Sequence, residues 1–96
     1  MSTDWKIYGV YETLTGECIY IGRTSMSLEN RWFYHTWKDN KKQSPLWKYL
    51  QLKGTEQFHI DILMLCENRD KWCEWEHHLI LELSPRFNSK LPGDYT

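Results

Sequence analysis

Long hydrophobic runs are absent from this chain of 96 residues. None approaches the roughly 20 apolar residues that cross a bilayer, and none has the make-up of a secretory signal, so no membrane partner is expected. Cysteine is scarce: Cys18, Cys66 and Cys73 form an odd set without framework spacing, which excludes a disulfide scaffold and points to a reducing, cytoplasmic setting. Zinc has little to hold it, since Cys73 and His77 lie one helical turn apart but no CxxC pair joins them. Internal repeats, low-complexity tracts and linkers are missing too, so residues 1–96 are read as one domain with a single core. The formal net charge of −1 argues against nucleic acid held by bulk charge. The balance is nevertheless uneven: residues 1–53 carry eight Lys or Arg against five Asp or Glu, and residues 54–96 carry four against eight. A mildly positive first half suits a phosphate-bearing partner and equally a solvated surface.

Aromatic residues, by contrast, are plentiful. The six tryptophans can build a core or offer faces on which bases stack. "WKIYGVYE", Trp5 to Glu12, reads as a strand, "TLTGE" as a turn around Gly16, and "CIYIG" as a second strand completing a β-hairpin. Ser27 precedes an apolar residue and predicts a helix from about Leu28 to Trp37, although the Glu of a capping box is absent. "KDNKKQSP" is a polar loop, and Pro45 after Ser44 opens a second helix through Leu52, closed by Gly54. "FHIDILMLC" becomes continuously apolar and predicts a third strand buried on both faces, the centre of the sheet. A third helix is expected over Arg69–Leu83, stopped by Ser84 and Pro85, and the last dozen residues form an extended or loop segment. The expected fold class is α+β, a three-stranded antiparallel sheet with about three helices.

Two helices place ionisable groups where charge is costly. In the first, Arg31 and His35 share the apolar face of Leu28 and Trp32. In the last, Trp72, Trp75, Leu79, Ile80 and Leu83 make an apolar stripe with Glu76 near its middle. An inward carboxylate must be protonated, paired with a cation or bound to a metal. A structural salt bridge to Arg31 satisfies that need as well as a functional role does. With Tyr8 and Tyr20 from neighbouring strands, these groups can converge on a phosphate: Arg forks onto its oxygens, a carboxylate holds a divalent metal, and a phenol or imidazole moves a proton.

"KIYGVYETLTGECIYIG" resembles the paired strands of GIY-YIG nucleases, "RWFYH" their arginine and histidine helix, and "EHHLILELSPRFN" their acidic helix followed by Pro and Asn. The resemblance runs from about Lys6 to Asn88. It implies phosphodiester cleavage with one divalent metal, Mg²⁺ or Mn²⁺, in DNA more than RNA. By position it assigns Tyr8 and Tyr20 as the motif tyrosines, Gly22 as the end of the second motif, and Arg31 and His35 as the helix pair. Glu76 becomes the metal-binding acid and Asn88 a brace for the site. Lys6 stands where the first motif has glycine, and one extra residue lies between Gly16 and Tyr20, so Tyr11 is an alternative first-motif tyrosine.

Arg23 can add a phosphate contact or be a surface residue. Lys38, Lys41, Lys42 and Lys48 can track a nucleic-acid backbone or simply solvate a loop. With so few positive charges, affinity is expected to be modest and salt-sensitive unless the chain forms a homodimer. The rival reading is a catalytically inactive module that keeps the fold to hold nucleic acid or protein. A free-standing domain of this size suggests a phage or mobile-element nuclease.

Overall fold

The structure is a computed structural model that describes residues 5–88. Strand β1 (Trp5–Glu12) turns through Gly16, whose positive φ of 74° suits a residue without Cβ, into β2 (Cys18–Thr24). Helices α1 (Leu28–Thr36) and α2 (Pro45–Lys53) follow, then strand β3 (Phe58–Cys66) and helix α3 (Arg69–Leu83). The sheet is antiparallel, in the order β2-β1-β3.

The helix ends follow from local chemistry. Ser27 accepts a hydrogen bond from the Asn30 N–H at 3.2 Å, and Ser44 does the same for Trp47 at 3.1 Å with Pro45 next in the chain. Each cap is worth about 1 kcal/mol. Asn68 caps α3 through the Lys71 N–H, and Ser84 in the left-handed region (φ 45°) ends it before Pro85.

The centre of the sheet is β1, which corrects the expectation for the third strand. Ile7, Tyr8, Gly9 and Val10 are all buried, whereas β3 lies at an edge with Ile62 and Leu65 44% and 52% exposed. An apolar run shows that a strand has cover, but not whether it has two neighbours.

The two faces of the sheet carry separate cores. Tyr8, Val10 and Ile19 pack with Leu46 and Leu50 of α2, and Leu28 and Trp32 of α1 close over them. Ile7 and Ile21 pack with Ile80 of α3, alongside Trp72 and Leu79. Each fully buried aliphatic side chain contributes on the order of 2 kcal/mol. The Trp72 indole N–H fastens α3 to β1 by donating to the Lys6 carbonyl at 2.8 Å. The α3 stripe is narrower than predicted, since Trp75 and Leu83 stay 39% and 49% exposed. A sheet of three strands offers a helix only a narrow line of contact, here through Trp72, Leu79 and Ile80.

The extra residue of the hairpin is absorbed by a bulge. Val10 faces Tyr20 but Tyr11 faces Cys18, so Ile19 is the residue without a partner. Tyr20 thereby keeps its place beside Tyr8. At the far end, Pro85 is buried and Arg86–Asn88 form a 3-10 turn; the remainder of the predicted terminal loop lies outside the described residues.

Candidate active site

Tyr8 is wholly buried on the central strand, and its hydroxyl lies at the core-facing side of α1. Arg31 Nε donates to that oxygen at 3.0 Å, and His35 Nε2 lies 2.7 Å from it. Arg31 and His35 stand one helical turn apart, so a single phenol accounts for both ionisable groups on an otherwise apolar face. Burial, aided by the Arg31 charge, pushes the imidazole down to about 4, which leaves it neutral near pH 7. Nε2 is then free to accept the phenol's proton while Nδ1 carries the ring proton. Burial raises the Tyr8 pKa, with the neighbouring Tyr20 adding to the effect and Arg31 opposing it. The Tyr20 ring lies 6.3 Å from that of Tyr8 and edge-on to His35 at 5.6 Å.

Gly22 pairs with Tyr8 across the strands, and a Cβ there would collide with the Tyr8 hydroxyl and with the Tyr20 ring. The motif glycine is required for close approach rather than for a turn. Asn88, also buried, grips the adjacent residue: its Oδ1 accepts from the Ile21 N–H at 2.6 Å and its Nδ2 donates to the Ile21 carbonyl at 3.0 Å. It touches the backbone of β2 and acts on Tyr20 and Gly22 only through it.

Glu76 is half-buried on α3, and its partner is Arg23 rather than Arg31. Arg23 Nε stands 2.8 Å from Glu76 Oε1, and no ion pair joins Glu76 to Arg31 among the described residues. Helical spacing identified the inward acid, but the cation that meets it comes from β2, on the same side of the sheet as Ile21. Arg23 is held in turn by the Cys73 thiol, to whose Sγ its Nη1 donates, and by the Trp72 ring, 4.9 Å from the guanidinium carbon. Burial raises the Glu76 pKa while Arg23 pulls it down. The Glu76 charge also bears on Tyr8, raising its pKa slightly.

Among the described residues no three His, Cys, Asp or Glu side chains converge as a metal cage. A single half-buried carboxylate at the edge of solvent fits a hard divalent cation, which keeps several of its waters and shares substrate oxygens.

The remaining predicted residues divide. Tyr11 stacks on His59, ring centroids 5.4 Å apart, and has no part in the Tyr8 cluster. Lys41 and Lys42 line a cleft of about 760 Å³ together with Tyr20, Arg31 and His35, whereas Lys38 and Lys48 are exposed and outside its lining. The roles of Arg23 and Trp72 were not evident in the sequence. Strand alternation placed Arg23 on the face of Ile21, and that face is the one α3 covers. A second concavity, about 620 Å³ on the outside of α3, contains Cys73 and His77 but none of the Tyr8 cluster.

No curated protein and no solved structure matches the chain. The sequence profile of the GIY-YIG catalytic domain, however, matches residues 4–90. Domains of this family are nucleases, phosphodiester hydrolases that generally use a divalent metal. On that match, which spans nearly the whole sequence and both tyrosine motifs, the chain belongs to the GIY-YIG family.

Proposed function

We propose that this chain is an endonuclease that hydrolyses phosphodiester bonds, in DNA more than RNA by family habit, with one divalent metal at Glu76. The observation that carries this reading is the Tyr8 hydroxyl, held between Arg31 and His35 with the Glu76 charge in electrostatic reach. A divalent cation, when bound, neutralises charge on the phosphate and on the leaving oxygen. The side chains supply the rest. Arg31 uses Nε on Tyr8 and directs its other donors at the phosphate oxygens, where negative charge grows in the transition state. The attacking water gives its proton to the Tyr8 oxygen as the phenol's own proton passes to His35 Nε2. The hydroxide oxygen bonds to phosphorus, and the bond from phosphorus to the leaving sugar oxygen breaks. That oxygen takes a proton from solvent. Tyr20 orients water or phosphate, and Asn88 keeps β2 in place.

Plasmid nicking in Mg²⁺ against EDTA tests the proposal. Wild type nicks only with Mg²⁺, and Glu76→Ala nicks in neither and shows no heat of Mg²⁺ binding by calorimetry. Nicking by Glu76→Ala at the wild-type rate would overturn the role of the acid. The Arg23–Glu76 pair is the one observation that favours the inactive module, because it already satisfies the carboxylate. That reading expects Glu76→Ala to lower the melting temperature while neither protein binds metal.

A further inference from the structure

The cleft beside the Tyr8 cluster has features that phosphodiester chemistry does not use. Two of its lining residues, Tyr34 and Trp37, expose 48% and 44% of their surface, a costly arrangement for large aromatic rings. Trp37 already stacks on Phe33, ring centroids 5.8 Å apart and planes within 21° of parallel. A further ring on its other face would extend that stack. The segment that carries Trp37 is held in place: the Trp47 indole N–H donates to the Trp37 carbonyl at 2.9 Å, and Asn40 Nδ2 donates to the Tyr34 carbonyl at 2.6 Å. The lining is also positive, with Arg31, Lys41 and Lys42 against Asp39. An aromatic wall among cations, next to a phosphate-cleaving centre, is the chemistry that binds a nucleotide by its base and its backbone together.

We infer that this cleft receives an unpaired nucleobase next to the scissile phosphate, stacked on Trp37, so that the preferred substrate is single-stranded or frayed at the cleavage point. The inference rests on the nuclease reading for what happens to the phosphate, but the binding itself does not require cleavage. A volume of about 760 Å³ is of the size that encloses one small molecule. A paired base keeps both faces inside its own stack, so intact duplex can offer nothing to Trp37 unless a nucleotide is flipped out. Lys41 and Lys42 then meet the phosphates that flank that base.

Fluorescence anisotropy of dye-labelled oligonucleotides in EDTA tests this without turnover. The probes are a short single strand, as DNA and as RNA, the same DNA strand with abasic sites, and a blunt duplex of the same sequence. Wild type should bind at least one of the two single strands about tenfold more tightly than the duplex. Trp37→Ala should weaken single-strand binding by between about fivefold and a hundredfold and leave duplex binding unchanged. Trp37→Phe, which keeps an aromatic face, should retain most of the affinity, and a far-UV circular dichroism spectrum identical to wild type shows that the variants are folded. Equal affinity for duplex and single strand, equal loss on both in Trp37→Ala, or no penalty for the abasic strand would overturn the inference. A protein that binds single strands through Trp37 yet cleaves neither DNA nor RNA would instead refute the nuclease reading and leave this one standing.

Discussion

On the α1–α2 face of the sheet, Tyr8, Arg31 and His35 are joined by hydrogen bonds around a neutral phenol and a neutral imidazole. On the α3 face, Glu76 and Arg23 hold each other as an ion pair at the edge of solvent, with side chains 22% and 36% exposed. The first arrangement is centred on a buried phenol, with Arg31 and His35 half-buried between it and the cleft. The second is an electrostatic pairing that water weakens. Under the proposed function the contrast separates two tasks: the buried face supplies the geometry for moving a proton, and the half-exposed acid supplies the charge for holding a metal. Gly22, lacking a side chain, lets Tyr8 come up against β2 between them.

Three substitutions break or sharpen this contrast, beginning with the largest effect. Tyr8→Phe removes the hydroxyl and should reduce nicking by about a hundredfold or more while Mg²⁺ binding measured by calorimetry stays as in wild type. Loss of metal binding in that variant would mean that the two faces are not separate. It should also cost stability, about 1–3 kcal/mol, because Arg31 and His35 are left without their shared partner.

His35→Gln addresses the buried face through pH. The folded His35 titrates near 4 and the unfolded one near 6.5, so the unfolded chain takes up a proton first as pH falls. Stability from this residue is therefore full above about pH 6.5, declines as pH drops to about 4, and levels off below. The loss is on the order of 3 kcal/mol. Glu76, raised by burial, works in the opposite sense at the acid end, so the informative quantity is the difference between wild type and His35→Gln in urea titrations. A difference that stays constant across that window would show that His35 is not held neutral.

Arg23→Gln has the smallest effect. Without the guanidinium, burial acts on Glu76 unopposed, its pKa rises further, and the acid limb of the nicking profile moves to higher pH by less than about one unit. An acid limb that moves the other way would mean that Arg23 does not keep the carboxylate ionised.

Much of the fold could be read from residues whose local chemistry leaves little choice. Ser27, Ser44 with Pro45, Gly54 and Ser84 with Pro85 marked the helix ends where they occur. Helical spacing turned Arg31, His35 and Glu76 inward, as observed, because burial and periodicity are properties of one element. The errors concern relations between elements. The apolar run of β3 reads as a central strand because it cannot reveal strand order, and β3 lies at an edge. Spacing tells which way Glu76 points but not what lies across from it, which is Arg23 and not Arg31. Trp75 and Leu83 fall on the apolar stripe yet stay exposed, because the width of the opposing sheet is not written into the helix. Arg23 stays between two roles in the sequence for the same reason: its partner lies more than fifty residues downstream, on a helix that reaches it only in the folded chain.

The grip of Asn88 on Ile21 has an implication for assembly. Strand β2 is an outer strand, and an outer strand's free amide and carbonyl invite pairing with another polypeptide. One carboxamide meets both groups of Ile21, imitating the strand that would otherwise add there. Strand β2 is thus closed to further pairing at the residue between Tyr20 and Gly22, by a side chain rather than by another strand.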